Sequence, residues 1–507
     1  MKSLNILRKK TIEDVLADSE VDSKHKLKRT LKWFDVAILG VSMAVGAGIF
    51  SVGAKVIVNE SGPSAILSFV IAAVVCLLAV MCYAEFSTLV PVAGSSYLFS
   101  YVALGEVFAW VIGWNVILEF FMSAAVVIKY WSVYLHSAMR SIGVAIPGSI
   151  PMGPLGVDWT IFVGIAIFVV MLIFGTKFST RAAGFFVALK VGVILFIVIM
   201  GFRYFSFANL SPFIPESQPA IDTLPGDQSL FSLILGHQSE HFGIMGIFSG
   251  AAIVFFAFIG FDASASVAEE TINPKKNMPL GLFAGIGIVS LLYVLVTIIT
   301  VGMVNRSDFQ AYQDAHPDRT VSIITAFEIK GENFVEAVAS FGAFLGLTTV
   351  VLVAMMGLAR LILAMARDGL LPKSFAVISK RKTPIRIQVI TGILIAAVAA
   401  FTNVEELGEM ISIGTLSAFI LVSFSVPILR KRVRNVDTRD LFKVPLSPFL
   451  PILSGLICIW LTTNLSVRTW LMFAVWVAAG LAIYFAYGMK HSELGKTNET
   501  QIAARGA

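Results

Sequence analysis

Charged side chains are scarce in this chain of 507 residues: Asp, Glu, Lys and Arg make up 14% of it, and hydrophobic residues make up 57%. Soluble domains carry about 25% charged residues, so this chain has little polar surface to present to water. Apolar runs recur along the sequence at roughly 20 residues, the length at which a helix crosses a bilayer. The composition therefore predicts an all-α integral membrane protein.

Cysteines are few, and catalytic motifs are missing. Cys76, Cys82 and Cys458 all lie in apolar runs, which argues against a disulfide framework and a cysteine metal site. The sequence has no His, Cys or carboxylate cluster with metal-site spacing, no GxxxxGK[ST] phosphate loop and no sign of a Ser/His/Asp arrangement. We therefore expect no metal, no cofactor and no enzymatic activity, and ATP-driven pumping has no support.

Twelve stretches are apolar and long enough to cross a bilayer. Residues 1–33 precede them with nine Lys/Arg and no apolar run, so we expect no cleavable signal peptide. The predicted spans are 34–57, 65–90, 105–130, 159–176, 184–203, 243–268, 280–304, 334–366, 386–402, 407–429, 449–465 and 468–488. The eighth, at 33 residues, is expected to be a span with a helical extension.

Basic residues are distributed unequally between the two sides of the predicted membrane. With the N-terminus inside, the inner segments hold 28 Lys/Arg and the outer loops hold 8. This skew predicts a plasma-membrane protein with both termini in the cytoplasm. The basic clusters at 380–382 and 430–434 are then topology signals that lie at the lipid headgroups of the cytoplasmic side. The net charge of +6 therefore does not indicate nucleic-acid binding.

The first span is interrupted by small residues, Gly46, Ala47 and Gly48. Glycine allows the backbone to unwind, and a helix half that begins after the break points free N–H groups at an anion such as a carboxylate. We therefore expect Val45, Gly46, Ala47 and Gly48 to offer backbone amides to a ligand. The alternative is close helix packing through small residues.

The sixth span carries the complementary interruption, FFAFIGFD at residues 255–262. Unwinding around Gly260 would leave backbone carbonyls free to accept hydrogen bonds from a ligand ammonium group. Phenylalanines are also ordinary in lipid-facing or packed positions, but an acid inside a span, Asp262, indicates a functional site. Two broken helices facing each other are the predicted transport site.

The two interruptions lie in spans one and six and so enter the membrane in opposite senses. This offset is typical of a five-plus-five inverted repeat with two helices appended, although no residue-level similarity between the halves is visible. The predicted parts are a cytoplasmic N-terminal tail, the first repeat, an extracellular loop, the second repeat, a cytoplasmic loop with helices 11 and 12, and a cytoplasmic C-terminal tail, at 1–33, 34–204, 205–242, 243–429, 430–488 and 489–507. The long outer loops at about 204–241 and 305–333 are candidates for partial lids over an outer vestibule.

Three further charges lie inside predicted spans. Lys190 is several residues from either end of span five, and its side chain either extends to the membrane surface or is a buried amine that gains and loses a proton. Glu119 in span three either packs in protonated or paired form or lines the substrate pathway. Arg360 lies nearer the inner end of span eight, and we expect it to pair with a loop acid such as Asp368.

Taken together, these residues resemble the amino acid–polyamine–organocation (APC) superfamily, and within it the bacterial relatives of cationic amino acid transporters. The resemblance covers about residues 30–490 and rests on the motifs at 46–50, 83–87 with Pro91 and Gly94, 113–119, Lys190, 255–274, and Arg360 with 365–372. Each motif is weak alone, but their order and spacing are specific.

The resemblance implies a LeuT-type fold of twelve helices, in which spans one and six unwind at the midplane. It implies that the amides of residues 45–48 hold the substrate carboxylate and that the carbonyls of Phe256, Ala257 and Ile259 hold its amine. Lys190 matches the family lysine that fills a sodium position, which implies proton coupling. The family often has Ser or Thr at the position of Ala47, so a hydroxyl contact to the carboxylate is absent here.

The sequence therefore predicts a proton-coupled L-amino acid symporter that works by alternating access. Neutral substrates with broad selectivity are favoured by the phenylalanines of span six, whereas Glu119 and Asp262 permit cationic ones. A proton-independent exchanger or a receptor is the alternative, and a membrane-embedded enzyme is disfavoured. The expected partners are an L-amino acid, protons and the lipid bilayer; the oligomeric state is not indicated.

Overall fold

Helices make up nearly all of the regular structure in a computed structural model of the protein. It describes residues 8–9, 29–46, 48–91, 95–144, 146–147, 150–152, 155–174, 180–220, 226–238, 240–316, 321–379, 383–402, 404–432 and 441–496. In chain order the α-helices are α1 (Trp33–Ala44), α2 (Gly53–Val56), α3 (Ala65–Leu89), α4 (Ser95–Ala103), α5 (Glu106–Ser141), α6 (Trp159–Phe174), α7 (Thr180–Phe202), α8 (Leu230–Leu235), α9 (Gly243–Val254), α10 (Phe261–Ala265), α11 (Pro274–Met303), α12 (Arg306–Ala315), α13 (Thr325–Ile329), α14 (Asn333–Arg367), α15 (Ile385–Phe401), α16 (Val404–Arg432), α17 (Phe449–Thr463), α18 (Val467–Ile483) and α19 (Met489–His491).

Strands are short and lie between the long helices. β1 (Ile150–Met152) pairs antiparallel with β2 (Leu155–Val157), so that Ile150 faces Val157. β3 (Gln218–Pro219) pairs antiparallel with β4 (Glu240–His241). These hairpins fall in predicted loops and do not enter the helical core.

Seven helical segments of the described chain are long and apolar enough to cross a membrane: Gly53–Leu89, Glu106–Ser141, Gly184–Phe202, Pro274–Met303, Asn333–Arg367, Glu406–Lys431 and Val467–His491. Five shorter apolar helices accompany them: Trp33–Ala44, Trp159–Phe174, Gly243–Phe258, Ile385–Phe401 and Phe449–Thr463. The prediction of an all-helical membrane protein is confirmed, and each predicted span coincides with one or two of these segments.

The long helices pack in two groups. In one group, α11 lies against α1 and α3, and α9 lies against α3. In the other, α14 runs along α5, while α15 packs against α6 and α5. Helix α7 touches members of both groups, α14 in one and α11 and α1 in the other. The interrupted helices α1 and α9–α10 therefore belong to the first group and face the second.

Two buried carboxylates accept hydrogen bonds that join the ends of different helices. Glu85 of α3, 6% exposed, accepts hydrogen bonds from Arg430 Nε at 2.6 Å and Nη2 at 2.7 Å, and from the Val444 amide at 2.7 Å. Glu106 at the start of α5 accepts from the hydroxyls of Tyr484 at 2.9 Å and Ser492 at 2.6 Å. Since the Glu106 amide also donates to Arg8 O, both ends of the described chain lie on one side of the molecule. We call this the inner side, as the predicted orientation implies.

Candidate functional site: two interrupted helices

The first interruption lies where the sequence predicts it. Helix α1 ends at Ala44, and Val45 leaves helical geometry with φ −71° and ψ 87°. Gly46 follows in a bend, and a π-helix begins at Gly48 and runs to Val52. Val45, Gly46 and Gly48 are therefore at the break, and Ala47 lies outside the described residues.

The second interruption follows α9. A turn of 3-10 helix covers Phe255–Phe258, Ile259 is extended with φ −65° and ψ 143°, and α10 begins at Phe261. Between them Gly260 has φ +111°, a conformation that side chains disfavour, and a Cβ there would lie 2.6 Å from Met43 Cβ. Glycine is therefore required at position 260, as the predicted unwinding implied.

The two interruptions touch each other directly. A Cβ added to Gly48 would overlap Cα and Cβ of Ala257, and a Cβ on Gly46 would lie 3.3 Å from Val350 of α14. The absence of side chains at positions 46 and 48 thus lets the first broken helix approach both the second one and α14. Small-residue packing and unwinding, which the sequence presents as alternatives, occur together here.

Tyr293 of α11 joins the two interruptions and is not among the site residues that the sequence predicts. Its buried Oη lies 2.5 Å from the carbonyl oxygen of Ala44 and 2.8 Å from that of Ala257. A hydroxyl has one proton, so the two carbonyls share one donor. The Ala257 carbonyl is predicted to hold a substrate amine. One of its two lone pairs faces the Tyr293 hydroxyl, and the other is left for a second donor. A tyrosine in the middle of an apolar span was the only signal in the sequence.

Lys190 of α7 is buried, with 1% of its surface exposed, and does not extend to the membrane surface. Its Nζ donates to the Ser42 carbonyl at 2.9 Å, within the last turn of α1. Gly346 of α14 leaves room for the lysine stem, since a Cβ there would lie 3.1 Å from Lys190 Cγ. The structure thus buries the amine and brings it to the end of α1, a contact that the sequence did not predict.

Two buried acids lie on the other side of the interruptions. Glu119 of α5 is 1% exposed and Asp262 of α10 is 4% exposed, and each lies within electrostatic reach of the other and of the Tyr83 hydroxyl. Among the described residues, Glu119 Oε2 and Thr415 Oγ1 are buried polar atoms for which the hydrogen-bond geometry shows no partner. Since buried polar atoms are nearly always paired, this cluster indicates room for water or a ligand group.

The phenylalanines of the second interruption have separate roles. Phe258 packs on Phe69 and Tyr293, with ring centroids 6.4 Å and 5.1 Å away, and is fully buried. Phe256 keeps 6% of its surface exposed. Phe258 therefore packs within the first helix group. Of the two phenylalanines, Phe256 is the remaining candidate for a wall against a ligand side chain.

The outer side of the first interruption is covered. The carbonyl oxygen of Phe50 accepts a hydrogen bond from Tyr134 Oη at 2.6 Å and from the Ile323 amide at 3.1 Å. Ile323 belongs to the loop at 305–333, so this segment does lie over the interrupted helix. A cavity of about 130 Å³ lies beyond this contact, lined by Val133, Tyr134, His136, Ser137, Arg140, Tyr312, Ser322, Ile324, Thr325 and Glu328.

The expected pair between Arg360 and Asp368 is not found in the described part of the chain. Asp368 instead accepts a hydrogen bond of 2.7 Å from Tyr97 Oη. Burial raises the pKa of the Glu270 carboxyl, which follows α10, and the positive charge of Arg360 opposes that shift. The acid nearest Arg360 along the chain is thus bonded to a tyrosine of another helix, so nearness in sequence did not predict its partner.

Sequence comparison decides which class of protein uses this arrangement. A family model described as amino acid permease matches residues 31–488. The chain belongs to the amino acid permease family. Membership implies an amino acid substrate and a membrane location, and with several apolar helices this permease is a multi-pass membrane protein.

Curated relatives extend over almost the whole permease. It is 37% identical to the branched-chain amino acid permease BcaP of Bacillus subtilis (strain 168), with 97% of this chain and 99% of the relative covered. It is 36% identical to the methylthioribose transporter of the same organism, with 97% and 100% covered. Cationic amino acid transporter 1 of Arabidopsis thaliana is 32% identical, with 86% and 68% covered. All three relatives are named as permeases or transporters, which agrees with the expectation that this permease is not an enzyme.

Proposed function

We propose that this permease is a proton-coupled L-amino acid symporter that takes up substrate across the plasma membrane by alternating access. The observation that carries the proposal is the contact between two interrupted helices, with Gly48 against Ala257. Interrupted helices of this kind expose main-chain donors and acceptors at one place, and these suit a zwitterion. The proposal includes twelve spans in two five-helix repeats with two appended helices, and both termini in the cytoplasm.

The substrate carboxylate would bind the amides of Val45, Gly46, Ala47 and Gly48, because a helix that starts after the break points its positive end there. The substrate amine would bind carbonyls of the second interruption. Ile259 has an extended backbone, so its carbonyl would be offered to the amine, whereas the Phe256 carbonyl would serve it alongside the Ile259 amide, which donates to that oxygen at 3.3 Å. The Ala257 carbonyl would serve the amine in competition with Tyr293.

Lys190 would couple transport to protons. Its Nζ bonds to the Ser42 carbonyl in α1, so a change in its charge changes the strength of a contact with the first interrupted helix. Hydrogen bonds from charged donors are roughly twice as strong as neutral ones, so deprotonation would favour release of α1. Opening of the inner side would then follow loss of the proton.

Neutral amino acids with broad selectivity are the proposed substrates. Phe256 offers an apolar wall, and the BcaP relative is named for branched-chain amino acids. Cationic amino acids are the alternative, since Glu119 and Asp262 are buried near the second interruption and the Arabidopsis relative is named for cationic ones. Proton-independent exchange remains the alternative mechanism.

A second candidate substrate comes from the relative that is named a methylthioribose transporter and matches 97% of this chain. A sugar thioether has neither the carboxylate nor the amine that the two interruptions are proposed to bind. Its hydroxyls could instead bond to the polar cluster around Glu119 and Thr415.

Uptake into proteoliposomes tests the function. Purified protein is reconstituted, and labelled leucine is added with and without an inward proton gradient. We expect accumulation that requires the gradient and is lost when a protonophore is added. Accumulation of leucine without a gradient, driven only by internal leucine, would replace symport by exchange.

A competition series identifies the substrate class. Unlabelled leucine, alanine, lysine, arginine and methylthioribose are each offered against labelled leucine. Neutral amino acids should compete and the others should not. Competition by lysine and arginine alone would establish the cationic alternative, and exclusive binding of methylthioribose would overturn the amino acid proposal.

A further inference from the structure

Helix α5 forms one wall of the cavity of about 130 Å³ described above, which we call the outer cavity. The helix begins at Glu106 on the inner side and ends at Ser141, so its last turns lie on the outer side. Tyr134, Ser137 and Arg140 of these turns line the cavity. Residues at this spacing are neighbours on a helix surface, so one face of α5 builds the wall.

The opposite wall comes from the loop at 305–333. Ser322, Ile324, Thr325 and Glu328 line the cavity from this side. The Ser322 amide donates to Thr325 Oγ1 at 3.1 Å, and the Thr325 amide donates to the Ser322 carbonyl at 3.1 Å, so this turn has a defined shape. The outer cavity therefore lies between a long helix and a structured loop.

Two opposite charges face each other across the outer cavity. Arg140 Nη1 lies 4.0 Å from Glu328 Oε1, further than the roughly 3 Å of an N–H···O hydrogen bond. The side chain of Arg140 is 48% exposed and that of Glu328 is 26% exposed, so both lie where the cavity meets the outer solution. A guanidinium binds a carboxylate, and a carboxylate binds an ammonium group. The cavity thus offers one partner to each charged end of a zwitterion.

The volume of the outer cavity limits the ligand to a small molecule. A cavity of about 150 Å³ holds benzene, which has as many heavy atoms as alanine. At about 130 Å³ the outer cavity has room for glycine or alanine. Val133 and Ile324 supply apolar surface for a short side chain.

Both walls of the outer cavity are bonded to the first interrupted helix. Tyr134 Oη donates to the Phe50 carbonyl at 2.6 Å, and the Ile323 amide donates to the same oxygen at 3.1 Å. Tyr134 belongs to the α5 wall, and Ile323 lies between two residues of the loop wall. Phe50 follows Gly48 closely in the chain. A ligand that bridges the two walls would therefore keep both donors over the first interruption.

We propose that the outer cavity binds a small zwitterionic amino acid, with its carboxylate on Arg140 and its amine on Glu328, and that the bound molecule holds the loop against α5. A ligand that binds one arrangement better than another shifts the population towards it. Occupancy would therefore favour the arrangement in which Phe50 is covered, and would slow uptake at high outer concentrations of amino acid. The inference rests on the proposed function in taking an amino acid as the ligand, but binding in the outer cavity requires neither the interruptions nor proton coupling.

Equilibrium binding of labelled alanine to the purified full-length protein tests the site. Arg140→Gln should weaken one component of binding about tenfold, the lower end of the range for loss of a hydrogen bond to a charged group. Arg140→Lys keeps the charge and should retain most of this component. Gly48→Ala should leave it unchanged, since that methyl would overlap Ala257 at the interruptions and not reach the outer cavity. Arg203→Gln is the matched control: it removes another exposed arginine, just after α7, and should leave alanine binding unchanged.

Analogues of alanine separate a zwitterion site from a general effect of the arginine. Alaninamide lacks the carboxylate, so it should bind to the Arg140-dependent component about tenfold more weakly than alanine. In Arg140→Gln the two compounds should bind equally, because the partner of the carboxylate is gone. Glu328→Gln should likewise make alanine and propionate, which lacks the amine, bind equally.

Uptake of labelled leucine tests whether the bound molecule holds the loop. Alanine that only competes at the transport site raises KM and leaves the maximal rate unchanged, whereas a held loop lowers the maximal rate. High outer alanine should therefore lower the maximal rate severalfold in the unsubstituted protein and in Arg203→Gln, but not in Arg140→Gln. An unchanged maximal rate in the unsubstituted protein would overturn the holding of the loop.

Unchanged alanine binding in Arg140→Gln, or an equal loss in Arg203→Gln, would overturn the site. An undiminished preference for alanine over alaninamide in Arg140→Gln would do the same. If leucine uptake fails while the Arg140-dependent component of alanine binding persists, the proposed function is wrong and the site in the outer cavity stands. If uptake is driven by the proton gradient while Arg140→Gln binds alanine normally, the site is wrong and the proposed function stands.

Discussion

Lys190 Nζ donates a hydrogen bond of 2.9 Å to the carbonyl oxygen of Ser42. Ser42 lies in the last turn of α1, three residues before the backbone leaves helical geometry at Val45. A buried amine on α7 is thus attached to the helix that is interrupted at the proposed site. The first prediction depends on this contact.

Lys190→Met should abolish the dependence of leucine uptake on the proton gradient, because methionine keeps the apolar stem but cannot carry a proton. We expect gradient-driven accumulation to fall at least about tenfold, which corresponds to about 1.4 kcal/mol. Substrate binding should be weakened less than accumulation. Uptake with and without an imposed gradient, together with equilibrium binding, measures both.

Lys129→Met is the matched control for that experiment. Lys129 is also a lysine in a predicted span, but its Nζ binds the Thr402 carbonyl just beyond the end of α15, remote from both interruptions. Gradient dependence should survive in this variant. Equal loss in both variants, or full gradient dependence in Lys190→Met, would remove Lys190 from the coupling mechanism.

Gly48→Ala should weaken substrate binding strongly even though it adds only one methyl group. That methyl would overlap the backbone and side chain of Ala257, so the two interruptions would have to separate. Overpacking of this kind costs about 1 to 3 kcal/mol, and binding should weaken about tenfold or more. A Val substitution at Gly46 or Gly48 should be more severe.

Gly192→Ala provides the comparison for the glycine substitution. Gly192 lies in α7 with no heavy atom within 4 Å of an added Cβ, so an alanine meets open space. Binding by this variant should equal that of the unsubstituted protein. Unchanged affinity in Gly48→Ala would move the binding site away from the interruptions.

Tyr293→Phe should weaken substrate binding while leaving the fold intact. The ring can still pack on Phe258, but the Ala44 and Ala257 carbonyls lose their shared donor. Buried carbonyls without partners cost about 1 to 3 kcal/mol, so the interruptions should lose their defined geometry. Radioligand binding and thermal unfolding in detergent measure the two effects.

Thr297→Val controls for removal of a hydroxyl from the same helix. Thr297 Oγ1 bonds to the Tyr293 carbonyl within α11 and touches neither interruption. Its loss removes a hydrogen bond that is local to α11, so any cost of about 0.5 to 1.5 kcal/mol should fall on stability, and binding should change by less than about twofold. Equal effects of the two substitutions would show that α11 is merely destabilised.

Glu85→Gln should lower thermal stability without changing substrate selectivity. Glu85 accepts two hydrogen bonds from Arg430 and one from the Val444 amide in a buried position. Breaking one partner of a buried pair costs about 3 to 5 kcal/mol, so the unfolding temperature in detergent should fall by several degrees. Glu493→Gln, which removes an exposed pair with Lys496, should leave it nearly unchanged.

The sequence was informative where local chemistry decides the structure. Long apolar runs predict helices because backbone groups in a bilayer must bond within their own segment. Glycine predicts the interruptions at Gly48 and Gly260, since one must accept close approach of Ala257 and the other has a positive φ. Lys190 and Glu119 were recognisable as candidates because charges are rare in spans.

Partners across helices could not be predicted in the same way. The acid nearest Arg360 along the chain is Asp368, but in the fold the Asp368 carboxylate accepts a hydrogen bond from Tyr97 Oη. Tyr293 stood out in the sequence only as a tyrosine within an apolar span, yet its hydroxyl joins both interruptions. A side chain forms hydrogen bonds with groups that lie within about 3 Å, and the packing of other helices determines which groups these are. A single sequence does not show those distances.

The amino-acid sequence by itself determined the class of this protein, its helices and the two places where they are interrupted, because these depend on burial of apolar surface and on the freedom of glycine. Only the tertiary structure decided that the interruptions touch, that Lys190 reaches Ser42, and that Tyr134 and Ile323 donate hydrogen bonds to the Phe50 carbonyl. The physical reason is that helix packing is a property of the whole set of surfaces, whereas helix formation and interruption are properties of a few consecutive residues.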